Sequence, residues 1–304
     1  MTRYPDFFIA GAPKCGTTSL YSYLREHPDI FMPAVKEPHY FAQELSDLHV
    51  SCRSEAAYLG LFKHAADNAV WGEASIMYLF SGQAIEKAQK ANPSAKFIIL
   101  ARNPVDMFFS LHAQSLKKMQ EDIIDPEAAW NAQSARKAGK RIPNTNAQIE
   151  HLYYYDICAL GTQIETLCKK VPESQRLLVL LDDLDTDPKG VYARILAFLG
   201  VPDDGRMDFP VKNKKQALRS KNLEMFISNP PALLNPLRKP LHALGIRPLS
   251  YLNALNKRKA PPAHIPAEFY ARLENEFRSE IIKLQDIFQR DLSHWYRTPH
   301  VKAA

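Results

Sequence analysis

The residues best suited to chemistry sit at the start of the chain. Gly11-Ala12-Pro13-Lys14-Cys15-Gly16-Thr17-Thr18-Ser19 joins an apolar run, Phe7-Phe8-Ile9-Ala10, to a helical pattern. That pattern places Leu20, Tyr21 and Leu24 on one face and stops at His27-Pro28. A glycine-bearing turn between a buried strand and a helix is a phosphate cradle, because backbone N–H groups and the positive end of the helix converge on one anion. Loops for nucleoside triphosphates read Gly-x4-Gly-Lys-Ser/Thr, with the lysine on the outer phosphates. Here Gly11 and Gly16 keep the spacing, but Thr17 stands at the lysine position and the lysine has moved into the loop as Lys14. This suits a 5′-phosphate carrying something other than a polyphosphate tail. The plainer alternative is an ordinary tight strand-to-helix turn.

Three further segments extend the pattern. Lys36-Glu37-Pro38-His39-Tyr40-Phe41 follows the first helix, Phe97-Ile98-Ile99-Leu100-Ala101-Arg102-Asn103-Pro104 runs on through Asp106 to Ser110, and Asp291-Leu292-Ser293-His294-Trp295 lies near the end. With the loop, these segments resemble the sulfotransferases that use 3′-phosphoadenosine-5′-phosphosulfate (PAPS), both bacterial members and those of the heparan-sulfate type. The resemblance spans nearly the whole chain. It implies a P-loop-like α/β fold and transfer of a sulfuryl group from PAPS to an acceptor hydroxyl, releasing 3′,5′-ADP, with no metal.

The resemblance also implies roles. Lys14 meets the charge that grows on the bridging oxygen of the leaving group, while Cys15, Gly16, Thr17, Thr18 and Ser19 line the 5′-phosphate. Arg102 and Ser110 grip the 3′-phosphate, where the planar fork of arginine pairs two oxygens at once. Arg219 and Lys221 could close over the same phosphate, although a solvated basic face is the simpler account of Lys212, Lys214, Lys215, Arg219 and Lys221. Glu37 matches the general base of the heparan-type members, with His39 as its rival and His112 as a weaker third. A different account of Arg102 is an ion pair with Asp106. The chain departs from the family where Glu-Lys-Ser or Glu-Lys-Thr is frequent, since it reads Glu73-Ala74-Ser75. Glu73 is then a supporting acid or a buried hydrogen-bond acceptor. The family's Glu-Asp-Leu is Asp182-Asp183-Leu184, and its Gly-x-Tyr is Cys158-Ala159-Leu160. These departures bear on the acceptor, which the sequence leaves open among glycans and small metabolites.

The elements that must position these residues follow from patterning. Apolar runs at 7–10, 96–101 and 177–181, with a weaker one at Val70-Trp71-Gly72, suit strands buried on both faces. Their alternation with helical patterns implies parallel βαβ units, hence a three-layer α/β sandwich with a small central parallel sheet. Ligands then bind beyond the carboxyl ends of the strands. Residues 111–150 are polar and helical and suit an acceptor wall. Residues 225–267 hold eight prolines, six Lys or Arg and no acid, as a basic lid or a solvated, proline-stiffened wrap. A last helix near 266–290 stripes Phe269, Leu273, Phe277, Ile281, Leu284 and Phe288 along one face for core packing. The whole reads as one domain, 1–304.

Bulk properties narrow the setting. The net charge of +6 favours an anionic ligand, although nucleic acid or anionic lipid would be served equally. Cysteines at 15, 52, 158 and 168 show no metal-ligand pairing and suit free thiols in a reducing compartment. Cys15 is a small filler of the loop rather than a reactive thiolate. The N-terminus enters the first strand at once, and no apolar run reaches the roughly 20 residues that cross a bilayer. A cytoplasmic enzyme is expected. Two other readings compete: a P-loop kinase, with the strand Leu177–Leu181 delivering Asp182 to magnesium, and a non-catalytic nucleotide-binding module of the same fold.

Overall fold

The apolar runs form five short strands: β1 (Phe7–Gly11), β2 (Ile30–Phe31), β3 (Val70–Ala74), β4 (Lys96–Ala101) and β5 (Arg176–Leu180). They come from a computed structural model that describes residues 2–45, 50–143, 149–210 and 265–297, with the backbone of 216–218 and 257–259. All pair in parallel, in the order β2-β3-β1-β4-β5. Every residue of β1 is buried, and all of β4 but its first. Strands buried on both faces need cover on both, which explains their unbroken apolar character. The expected α/β class and parallel sheet are what the chain adopts.

The helices are α1 (Thr17–Arg25), α2 (Glu55–Leu59), α3 (Ala84–Ala91), α4 (Pro104–Lys117), α5 (Pro126–Asn131), α6 (Gln133–Lys137), α7 (Tyr154–Cys158), α8 (Leu160–Lys170), α9 (Leu181–Thr186) and α10 (Pro188–Leu199). Two more, α11 (Ala267–Glu276) and α12 (Arg278–Phe288), stand where one long helix was expected. The break falls at Phe277, whose ψ of 4° leaves the helical range. The apolar stripe survives it, since Phe269, Leu273, Phe277, Ile281 and Leu284 are all buried. α12 packs on α8, where the N–H and Oγ1 of Thr162 both donate to Glu280 at 2.7 Å.

The chain divides into two compact units, residues 1–210 with 266–304, and residues 211–265. The second contains an antiparallel pair, β6 (Gln216–Leu218) and β7 (Lys257–Lys259). Arg219, Lys221 and most of 225–267 lie outside the described residues.

In the first unit, β1 lies between β3 and β4. The chain leaves it for β2 and β3 on one side and β4 and β5 on the other. The carboxyl end of β1 therefore sits where the winding reverses, the place at which open α/β sheets bind ligands. Register is fixed by Phe7↔Gly72, Phe8↔Glu73 and Ile9↔Ala74. Gly72 is required there. A Cβ at that position would come within 2.1 Å of Phe7 Cζ and 2.4 Å of Met32 Sδ. Gly72→Ala is expected to cost about 1–3 kcal/mol through overpacking, read as a lower urea midpoint. An unchanged midpoint would show that Phe7 moves aside freely.

Candidate active site

The loop that follows β1 turns into α1 on a left-handed glycine. Gly16, the cap residue of α1, is left-handed (φ 88°, ψ 1°) and supplies no side-chain cap. Ser19 N turns back to the Gly16 carbonyl at 3.0 Å, and the N–H groups of Thr17 and Thr18 at the uncapped start are the ones a helix of this kind presents to an anion. A Cβ on Gly16 would also lie 2.9 Å from Leu181 Cδ1 and 3.0 Å from Leu184 Cδ2. Both the backbone conformation and the packing thus demand glycine. Thr17 and Ser19 are buried, Thr18 half-buried. Cys15 is fully buried, and burial pushes its thiol up to about 12. That agrees with a filler side chain and not with a thiolate.

Lys14 is held above this turn. Its own φ is 63°, and its Nζ donates to Gln114 Oε1 at 2.6 Å. Burial, then the charges of Arg102 and Lys118, pull its ammonium down to about 8. Arg102, one residue beyond β4, donates from Nη1 to the Lys14 carbonyl at 3.0 Å. Arg102 does not pair with Asp106 in the way the alternative account required. Asp106 is bound by Arg297 at 2.9 Å, with Tyr270 Oη at 3.4 Å. Asn103 caps α4, its Oδ1 accepting from Val105 N at 2.9 Å, and Pro104 follows at the first helical position. Ser110 and Gln114 lie one turn apart on α4, so the helix face that carries Ser110 overlies the loop that carries Lys14.

Glu37 and His39 belong to a strained turn. Both have positive φ, 61° and 54°, with Pro38 between them. Non-glycine residues persist there only where surroundings impose it. Here β3 does so: Glu37 N donates to the Ala74 carbonyl at 2.9 Å, and His39 N donates to Ser75 Oγ at 2.9 Å. Lys36 Nζ donates to Glu37 Oε1, and His39 Nε2 lies 4.0 Å from Glu37 Oε2. Burial alone would raise the Glu37 carboxyl. The charge and hydrogen bond of Lys36, with the charges of His39 and Lys118, outweigh burial and hold it below its ordinary value.

Glu73 sits beneath that turn, fully buried at the end of β3. Its Oε2 accepts from Tyr58 Oη at 2.9 Å and Tyr78 Oη at 2.8 Å, and Tyr78 Oη in turn accepts from Phe41 N at 3.2 Å. It is a buried hydrogen-bond acceptor, one of the two roles left open. Burial raises its carboxyl to about 7 against these hydrogen bonds. His112 is bound at 2.9 Å to the Ile123 carbonyl and its ring stacks on Phe108, so it is a packed core histidine.

The chain matches the sulfotransferase domain family over residues 4–224. It belongs to that family. It is 27% identical over 210 residues to heparan sulfate glucosamine 3-O-sulfotransferase 6 of Mus musculus, covering 66% of this chain and 53% of the relative. The chain thus spans about half the length of that relative. It is 29% identical over 162 residues to carbohydrate sulfotransferase 15 of the same organism, covering 39% and 29%. Among solved structures it is similar to a sulfotransferase from Alicyclobacillus acidocaldarius, with a TM-score of 0.68, 26% identity, and coverage of 97% and 100%.

A sulfotransferase fold accounts for the position of Asp182, which a kinase would give to magnesium. Asp182 Oδ2 accepts from Trp295 Nε1 at 2.7 Å and faces His294 Nε2 at 2.8 Å. The family assignment sets the kinase reading aside. Three residues of this neighbourhood were missed from sequence. Gln114 and Lys118 continue the spacing of Ser110 at four and eight residues, a signal that was there to be read. His151, whose surroundings include Lys118 and Glu37, carried none.

Glu73 gives a measurable pH dependence. Its folded value of about 7 lies above the ordinary 4.5, so the folded state holds the proton more tightly. Its contribution to stability is complete below about pH 4.5 and is lost as pH rises through 7. Glu73→Gln has no proton to lose there. The urea midpoint of the variant, relative to the natural protein, is expected to rise from pH 5 to pH 8. Parallel profiles would contradict it.

Proposed function

We propose that this protein transfers the sulfuryl group of PAPS to a hydroxyl of a glycan or small-metabolite acceptor and releases 3′,5′-ADP. The reading is carried by one arrangement: an uncapped helix start with Lys14 above it, and a carboxylate, Glu37, held at the end of the neighbouring strand. The family relatives named for glycan acceptors favour a sugar hydroxyl. A cytoplasmic setting, where the donor is made, goes with this reading.

In-line displacement at sulfur makes the demands of phosphoryl transfer: positioning, charge stabilisation and a base. The N–H groups of Gly16, Thr17 and Thr18 hold the 5′-phosphate, with the hydroxyls of Thr17, Thr18 and Ser19 beside them. Arg102, just beyond β4, and Ser110, on α4, hold the 3′-phosphate, and the loop contact from Arg102 to the Lys14 carbonyl ties the two phosphate sites together. Lys14 meets the charge that develops on the bridging oxygen. Removing one such donor typically costs 10²–10³ in rate. Glu37 takes the acceptor proton, being ionised through the neutral range, while His39 orients it.

Thermal shift gives the first test. 3′,5′-ADP is expected to stabilise the protein without magnesium, and stabilisation by Mg-ATP alone would reject the assignment. Glu37→Gln is expected to abolish PAPS turnover with near-normal 3′,5′-ADP binding, whereas Lys14→Ala lowers both. Full turnover in Glu37→Gln would pass the role of base to His39.

Lys14 also predicts a pH limb. Its charge is present below about 8 and lost above, so kcat/KM for PAPS should fall as pH rises through 8. Lys14→Arg, which stays charged, moves that limb upward. A limb unmoved by the substitution would assign it to another group.

A further inference from the structure

His151 is a buried titratable residue that none of these roles uses. It lies in a single 3-10 turn, Ile149–Leu152, which packs against α4, α6 and α7. The residue is only 7% exposed, and its Nε2 has no hydrogen-bond partner among the described residues. A buried ring nitrogen left unpaired is costly. Such a group in a folded protein calls for a partner that comes from elsewhere.

Its surroundings say what that partner is. The charges that bear on His151 are the ammonium of Lys118 and the carboxylate of Glu37. Lys118 also bears on Glu37, so His151 shares the neighbourhood of the carboxylate assigned to the reaction, and the turn that carries it packs on α4, the helix that holds Gln114 against Lys14. Burial, and then Lys118, hold its imidazole down at about 4. At neutral pH it carries one N–H and one lone pair. Lys118 only donates and an ionised Glu37 only accepts. The imidazole alone of the three can pair with a hydroxyl in either sense.

We propose that His151 is a specificity-determining residue whose Nε2 hydrogen-bonds a hydroxyl of the acceptor beside the one that attacks sulfur. The inference rests on the reading of Glu37 as the base, and two measurements keep the two apart.

The first is a high-resolution crystal structure of the full chain with 3′,5′-ADP. Nε2 is expected to contact an ordered water on the side of Glu37, standing where the hydroxyl binds. A protein group on Nε2 would overturn the proposal. The second is turnover of PAPS with an N-sulfated heparosan hexasaccharide as the probe. His151→Phe, which keeps the ring and removes its hydrogen bonds, should raise KM for the hexasaccharide about tenfold, with most of the loss in KM rather than kcat. His151→Asn should recover most of that loss, and 3′,5′-ADP binding by both variants serves as the check that they fold. An unchanged KM in His151→Phe overturns the proposal while leaving Glu37 in place. Turnover that survives Glu37→Gln removes the base reading and the proposal with it. If the natural protein does not turn over the hexasaccharide, that glycan is not its acceptor and the contact of Nε2 in the crystal decides for His151.

Discussion

The parallel pairing of β1 with β3 is the constraint on which the site depends. Ile9 stands opposite Ala74. Two residues beyond Ile9 the chain enters the loop that carries Lys14. The Ala74 carbonyl holds Glu37 N, and the next residue, Ser75, holds His39 N. The distance between the cation and the carboxylate is thereby written into a strand register rather than into the flexibility of two loops. A one-residue slip would turn every side chain of β3 to the opposite face. It would also carry Glu73 away from Tyr58 and Tyr78. The tight fit of Phe7 against Gly72 makes that slip costly. Strain in the turn around Pro38 is tolerable because the strand beneath it is rigid.

The two carboxylates at the end of β3 show how environment divides labour. Glu73 is fully buried and answered by two tyrosine hydroxyls, and burial wins, raising it to about 7. Glu37 is also largely enclosed, yet an ammonium at bonding distance and two further positive groups win, lowering it. Side chains of one type, close in space, are thus pushed in opposite directions by the balance of desolvation against charge. Buried Glu73 supports the turn, and Glu37 above it, enclosed over most of its surface but still open to solvent, is left ionised. Lys14 is tuned in the same way. Burial and the like charges of Arg102 and Lys118 lower its ammonium to about 8.

The strands of the core and the glycine turn after β1 were legible in the sequence for a physical reason. Strands buried on both faces must be unbroken apolar runs, and a close backbone approach to an anion must be glycine. Phe7–Gly11 and Lys96–Ala101 are each announced in this way, and Arg176–Leu180 is an apolar run too, although it lies at the sheet edge with its first three residues half-buried. What was not legible depends on tertiary partners. β2 is two residues long and leaves no period to detect. The expected last helix keeps its stripe through the break at Phe277, because apolar spacing registers which residues face inward and not whether every backbone hydrogen bond forms. Asp106 looked like a partner for Arg102 four residues away, but Arg297 claims it from the far end of the chain. Gln114 and Lys118 were visible as a spacing without a meaning until α4 was seen over the loop.

That last contact shows why the C-terminal segment matters to the loop after β1 as much as to the core. α4 can present Ser110 and Gln114 to the loop only if its first turn is fixed. Asn103 Nδ2 donates to the Trp295 carbonyl at 2.7 Å, and the Trp295 ring is itself tied by Nε1 to Asp182 at the start of α9. Arg297 adds its bond to Asp106 in the first turn of α4, where a carboxylate also complements the helix dipole. The segment from Ser293 to Arg297 therefore clasps the carboxyl ends of β4 and β5 together. Arg102 leaves β4 within that clasp, and its bond to the Lys14 carbonyl transmits the placement to the loop. The chain thus fixes the geometry of the first turn after β1 with residues almost three hundred positions later.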